Sequence, residues 1–120
     1  MHESSLARKI LELSLAAARA GAIVRVIRGR VAETETLSQH ALELNFRAQA
    51  RGTLAADARL ELELVHVEAR CRRCGAVYRP EHHVLLCTGC GSTEGEELGP
   101  TGLWLESIDV VDGDVAGGGS

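Results

Sequence analysis

Hydrophobic positions recur along this chain with two different periods, and each change of period marks an element. Leu6, Ile10, Leu13 and Ala17 are spaced by four and three, with Arg8, Lys9, Glu12 and Arg19 elsewhere around the wheel, which predicts an amphipathic helix from Ser4 to Ala20. Ser4 or Ser5 would supply the N-cap oxygen, and Gly21 the left-handed residue that ends such helices. Ala22 to Val31 is rich in β-branched residues and reads as a strand. A second helix is expected from Leu37 to Ala50, with Thr36 as N-cap, an apolar stripe of Leu37, Ala41, Leu44 and Ala48, and Arg51-Gly52 as its end. From Arg59 to Val67 the period falls to two, with Leu60, Leu62 and Leu64 alternating against Glu61 and Glu63, the clearest strand in the chain. A final strand spans Gly102 to Val111, and its apolar parity changes around Glu106, which predicts a β-bulge.

Between the last two strands, from Arg70 to about Gly99, the composition shifts to Cys, Arg, His and Gly. This segment reads as an inserted module. The expected fold is therefore α+β: two helices packed on one face of a small three-stranded sheet, with a four-cysteine zinc-ribbon lobe inserted before the last strand. Residues 1–69 and 100–114 would form the α/β lobe, 70–99 the cysteine lobe, and 115–120 a flexible tail of sequence VAGGGS.

With 120 residues, 45% hydrophobic and 25% charged, the chain has one ordinary domain's worth of sequence and enough apolar surface for a core, which excludes a large multidomain enzyme. One Phe, one Tyr and one Trp leave almost no stacking platform, and the net charge of −4 weakens the case for a phosphate-bearing partner. Both arguments speak against nucleic acid. No stretch approaches the roughly 18 consecutive apolar residues of a membrane span, and the acidic start Met1-His2-Glu3 is unlike a secretory signal. These features place the protein in the cytoplasm, where four cysteines are expected as metal ligands and not as disulfides.

Cys71-Arg72-Arg73-Cys74 and Cys87-Thr88-Gly89-Cys90 are two CxxC pairs separated by twelve residues, each followed by glycine. Two residues between thiolates let both sulfurs of a tight turn reach one ion, and two such knuckles close a tetrahedral Zn²⁺ shell with no open position. The site is then structural. The four thiolates overbalance the charge of the ion, and Arg70, Arg72, Arg73 and Arg79 are nearby to offset the excess. His82 and His83, in the loop between the knuckles, are expected as exposed loop residues, with exchange for a thiolate as the alternative. The amino terminus offers a second donor set. The backbone nitrogens of His2 and Glu3 form a five-membered chelate and the His2 imidazole folds back onto its own amide, a strong-field set that suits Ni(II) or Cu(II). One further donor is needed, either the Met1 amine or a side chain brought in by the fold, such as His40 or His66. His66 alone reads as an exposed strand histidine.

The order of these motifs resembles that of the HypA/HybF hydrogenase-maturation nickel metallochaperones over nearly all of residues 1 to 112. The most specific elements are Met1-His2-Glu3 and the pair CRRCG with CTGCGS, supported by the RGTL turn at Arg51 to Leu54 and by GEEL before the closing strand. The resemblance implies Ni(II) at Met1, His2 and Glu3, structural Zn²⁺ at Cys71, Cys74, Cys87 and Cys90, and no turnover of its own. It also implies delivery of nickel to a hydrogenase large subunit, or to another nickel enzyme such as urease, in concert with a nickel-handling GTPase. His40 is the side chain added here to the nickel set. The sequence departs from the family pattern at Leu37 to His40, at Thr88 and at Gly99 to Gly102. The alternative is a zinc-ribbon adaptor for protein or nucleic acid in which Met1-His2-Glu3 is accidental.

Overall fold

The computed structural model describes residues 2–82 and 84–112. Two helices and six strands follow in the order α1 (Glu3–Ala17), β1 (Ala22–Glu33), α2 (Gln39–Ala50), β2 (Arg59–His66), β3 (Ala69–Cys71), β4 (Val77–Tyr78), β5 (Gly95–Glu97) and β6 (Gly102–Asp112). The expected tail, 115–120, lies outside the described residues.

The first sheet has the order β2-β1-β6, so β1 carries a partner on each edge. It runs parallel to β2, from Val26 opposite Arg59 to Glu33 opposite His66, and antiparallel to β6, from Ala22 opposite Asp112 to Ala32 opposite Gly102. Parallel neighbours need a crossover, and α2 supplies it. The register with β6 shifts twice. One shift, between Arg28 and Gly29, leaves Glu106 as the extra residue, as the parity change predicts; the other, at Arg25, carries no sequence signal of its own. At the first of these a side chain on residue 29 would run into the Trp104 carbonyl, which explains a glycine inside the central strand.

Both helices lie on one face of this sheet. Val24, Ile27 and Val31 of β1 and Leu60 and Leu62 of β2 meet Leu6 and Ile10 of α1 and Leu42 and Phe46 of α2 in one buried cluster. The opposite face is polar, with Arg28 bridging Glu61 and Asp109 across three strands at 2.9 and 2.8 Å. The helices are rotated and trimmed relative to the sequence expectation. In α1 the buried row is Leu6, Ala7, Ile10 and Ser14, while Leu13 is exposed; Ser14 enters the core because its hydroxyl donates to the Leu11 carbonyl at 3.0 Å. The helix starts at Glu3 with an extended His2 as N-cap, so Ser4 and Ser5 fall inside the first turn and cap nothing. In α2 the buried row is Leu42, Phe46 and Ala50, and Leu44 is exposed. Phe46 carries more apolar area than any residue on the expected stripe, and its burial sets the rotation. Ser38, not Thr36, is the N-cap, accepting the Ala41 N–H at 3.1 Å.

A second sheet, order β4-β3-β5, holds its own small core of Ala69, Cys71, Tyr78 and Cys87. The chain enters it directly from β2 and leaves it for β6. At this junction the Val67 N–H donates to the Glu33 carbonyl at 2.9 Å and the Thr36 N–H to the Glu81 carbonyl at 3.0 Å. His66 adds a third tie. Arg79 Nη2 donates to its Nδ1 at 3.0 Å, so Nε2 carries the proton and donates to the Thr34 carbonyl at 3.0 Å and to that of Pro80. The expectation of a merely exposed strand histidine is corrected: His66 is half-buried because it binds carbonyls from both sides of the junction.

The rotation of α2 has a direct test in urea unfolding of the helix-bearing sheet. Phe46→Ala should cost about 3–5 kcal/mol and Leu44→Ala no more than about 0.5 kcal/mol. The reverse order would restore the stripe of Leu37, Ala41, Leu44 and Ala48.

Candidate metal centres

The four cysteines converge because two short turns repeat one backbone pattern. In the first, the Cys71 N–H donates to the Ala76 carbonyl at 2.8 Å and the Gly75 N–H to the Cys71 carbonyl at 2.9 Å; in the second, Cys87 N–H and Gly91 N–H repeat these bonds to Ser92 and Cys87, both at 2.9 Å. Each turn closes through a left-handed glycine, Gly75 at φ 78° and Gly91 at φ 77°, a conformation that a side chain would strain. The geometry aims amides at sulfur: Arg73 and Cys74 N–H lie 3.4 Å from Cys71 Sγ, and Gly89 N–H lies 3.3 Å from Cys87 Sγ.

All four sulfurs lie within 4.8 Å of one another, and the closest pairs, Cys71–Cys90 and Cys74–Cys87, join the two turns at 3.6 Å. A disulfide needs sulfurs about 2 Å apart, so these are four free thiols. A tetrahedral ion with Zn–S bonds of about 2.3 Å spaces its sulfurs about 3.8 Å apart. The donor set therefore fits Zn²⁺ in number, type and spacing.

Electrostatics points the same way. The Cys74 amide, helped by that of Arg73 against the cost of burial, lowers the Cys71 thiol to about 6. Cys90 accepts from the Ser92 amide, yet the neighbouring sulfurs and burial push it up to about 11. The Cys90 and Gly89 amides lower the Cys87 thiol as well, so one thiolate is favoured on each turn while Cys90 resists further negative charge, and a cation is what would let the whole cluster ionise. Three of the four arginines expected to offset this charge have other partners. Arg72 faces Glu96 at 4.0 Å, Arg73 faces Glu94 at 3.9 Å, and Arg79 reaches His66. Backbone amides do most of that task.

The second donor set lies at the amino-terminal end of α1; Met1 is outside the described residues. His2 is extended, φ −78° and ψ 163°, and its side chain is 78% exposed. Glu3 is moored: its carboxylate accepts the Ser38 N–H at 2.8 Å, and this bond first, then that from its own amide, holds its carboxyl below the usual range. Gln49 Nε2 adds a bond to the Ser4 carbonyl at 2.8 Å, so both ends of α2 grip the start of α1. His40 sits exposed in the first turn of α2, two residues beyond Ser38. His66 is committed to the junction. His82 is exposed, and His83 lies outside the described residues.

Sequence reasoning missed Glu33 and Glu35. Glu35 Oε2 lies 3.9 Å from His2 Nδ1. Burial pushes the Glu33 carboxyl up. The signal available was the pair of alternate acids directly after the β1 run, where a strand end is normally closed by a turn.

A model of the family described as hydrogenase/urease nickel incorporation, metallochaperone, HypA matches residues 1–110. The hydrogenase maturation factor HypA of Polaromonas naphthalenivorans is 37% identical over 114 residues, covering 93% of this chain and 99% of its own. That of Moorella thermoacetica is 34% identical over 105 residues, covering 82% of this chain and 93% of its own. The solution structure of the Ni metallochaperone HypA from Helicobacter pylori superposes with a TM-score of 0.56 at 20% identity, over 92% of this chain and 98% of that one, which supports the fold. The match along residues 1–110 and the identity to curated relatives show that this chain belongs to the HypA family of nickel-incorporation metallochaperones for hydrogenase maturation.

Proposed function

We propose that this chain binds Ni(II) at its amino terminus through Met1, His2 and Glu3, with His40 as an added side-chain candidate, and holds structural Zn²⁺ at Cys71, Cys74, Cys87 and Cys90. Residues 1–69 and 100–114 form the nickel-carrying lobe and 70–99 the zinc lobe. The nickel passes to a hydrogenase large subunit or another nickel enzyme, with a nickel-handling GTPase as partner, in the cytoplasm and without chemical turnover. No helix among the described residues is long and apolar enough to cross a membrane.

The observation that carries the nickel assignment is the mooring of Glu3 to Ser38 beside an exposed His2. A carrier must hold its ion selectively and still give it up. Backbone nitrogens and one imidazole supply the selectivity, and exposure supplies the exit. Mooring Glu3 fixes the direction in which the first residues project, so a client meets the ion in one orientation. Within this arrangement the Glu3 carboxylate positions the chain, and its backbone nitrogen is the donor. When bound, zinc supplies fixed positive charge to the cysteine turns, and the amides of Arg73, Cys74 and Gly89 hold the sulfurs as thiolates.

The zinc assignment is tested by metal content and amide spectra. The protein should purify with about one zinc per chain. Cys74→Ser or Cys90→Ser should lose it and unfold the β3–β5 sheet while α1, α2 and the first sheet survive, because binding of the order of 10 kcal/mol is most of what folds so small a core. Full zinc in either variant would overturn the four-thiolate site.

Nickel loading displaces protons from the imidazole and backbone nitrogens, so the bound state carries fewer protons and affinity falls as pH falls. The loss should be steep between about pH 7.5 and pH 6, and nickel should leave before zinc. His2→Ala, or one residue fused ahead of Met1, should abolish or severely weaken nickel binding in calorimetry at about pH 7.5 and spare zinc. Unchanged binding in His2→Ala would leave the zinc-ribbon adaptor as the better account.

His40→Ala separates the added candidate from the core set. A weaker nickel isotherm at constant zinc content would place His40 in the site. Equal isotherms would return it to the exposed surface of α2.

A further inference from the structure

We propose that the cysteine lobe is redox-sensitive, and that its oxidised form joins Cys71 to Cys90 and Cys74 to Cys87, across the two turns and not within either, so that zinc leaves while the β3–β5 sheet stays stapled. The inference rests on the proposed assignment of Zn²⁺ to these four thiolates. The two sulfur contacts of 3.6 Å both run between the turns. Each also joins unlike partners, since Cys74 and Cys90 are exposed and Cys71 and Cys87 are buried. Every pair therefore holds one sulfur that a small oxidant can reach and, beside it, one that is sheltered. At the Cys74 and Cys87 pair the neighbouring residue is Gly89, where a Cβ would stand 3.6 Å from Cys87 Sγ and 3.9 Å from Cys74 Sγ, so no side chain covers that pair from this side.

The turns themselves favour this pairing. The sheltered sulfurs are held by amides of their own turns, Cys71 Sγ by Arg73 and Cys74 N–H and Cys87 Sγ by Gly89 N–H. A bond between Cys71 and Cys74, or between Cys87 and Cys90, would form inside one such turn and at the expense of those contacts. A cross-turn bond only closes each pair from 3.6 Å to about 2 Å and leaves both turns as they are. Cys71 is also the last residue of β3, opposite Gly95 of β5. Its bond to Cys90 therefore ties the sheet to the second turn, which is the connection that zinc would otherwise make.

The oxidant is a peroxide. Hydrogen peroxide takes two electrons from the Cys74 thiolate, its O–O bond breaks, and with one proton the products are a sulfenic acid and one water. The Cys87 thiolate then attacks that sulfur, the S–O bond breaks, and the departing hydroxide takes a proton to become a second water. Two thiolates, two protons and one peroxide give one disulfide and two waters. A second peroxide does the same at Cys90 and Cys71. Each disulfide removes two donors, so the tetrahedral shell is lost with the first bond and zinc is released. Thiol reductants reverse both bonds by exchange and return the four thiolates.

The test uses the full-length, zinc-loaded chain, treated with a small excess of hydrogen peroxide after its zinc has been counted. About one zinc per chain should pass to a chromogenic chelator with the amide resonances of the β3–β5 sheet retained, and dithiothreitol with zinc sulfate should restore the zinc content. Digestion after Arg72, Arg73 and Glu81 separates Cys71, Cys74 and the peptide that carries Cys87 and Cys90, and fragmentation between those last two completes the disulfide map. The map should show Cys71 with Cys90 and Cys74 with Cys87. Any other pairing, bonds between chains, sulfinic acids in place of disulfides, zinc retained under peroxide, or sheet resonances lost with the zinc would each overturn the proposal and leave the zinc assignment standing. A chain that holds no zinc before oxidation would overturn the four-thiolate assignment and this proposal together.

Discussion

The bond from the Ser38 amide to the Glu3 carboxylate holds the start of the chain still, and the proposed amino-terminal nickel site depends on that restraint. The amide belongs to the N-terminal end of α2, where unpaired N–H groups and the helix dipole both favour an anion. Ser38 spends its hydroxyl on the Ala41 N–H and its own N–H on Glu3, so one residue caps α2 and anchors α1. The hydrophobic contact between the helices fixes their faces, with Leu6 and Ile10 against Leu42 and Phe46. The polar bonds at their ends then fix the rotation about that contact. His2 is left at the rim with its ring in water and its backbone defined.

The far end of β1 extends this control toward the cysteine sheet. Between Glu33 and α2 the chain bends at Thr34 and Glu35, where the Glu33 and Thr34 carbonyls accept from Val67 and His66 and the Thr36 N–H donates to the Glu81 carbonyl. The same short segment therefore touches the cysteine sheet through its backbone and His2 through the Glu35 side chain. On the proposed zinc assignment, folding of the cysteine sheet would depend on a cation to neutralise its sulfurs, and residues 34 to 36 are bonded to the segment that carries that sheet. The two proposed metal sites would thus be linked through backbone hydrogen bonds, with no need for shared ligands.

Element existence was legible in the sequence and element faces were less so. The alternation of Leu60, Leu62 and Leu64 identifies β2, the parity change at Glu106 identifies its bulge, and the two CxxCG turns identify the cysteine cluster. Each of these signals is local. The helix rotations were misjudged because they are settled by partners far away in sequence: Ser14 enters the core by bonding backwards to Leu11, and Phe46 outweighs Leu44 by area. The short strands β3, β4 and β5 were hidden, since strands of two or three residues leave no period to detect. The surroundings of the amino terminus were half legible. Met1-His2-Glu3 announces itself, whereas Glu35 reaches His2 only because β1 runs past its expected end at Val31 to Glu33.

Two metal sites of opposite character in one chain are the centre of this account, and X-ray absorption at both metal edges on protein loaded with zinc and nickel examines them together. The zinc edge should show four sulfur neighbours at about 2.3 Å. The nickel edge should show nitrogen and oxygen neighbours alone, with the imidazole scattering pattern removed by His2→Ala. Sulfur in the first shell of nickel, or fewer than four sulfurs at zinc, would contradict it.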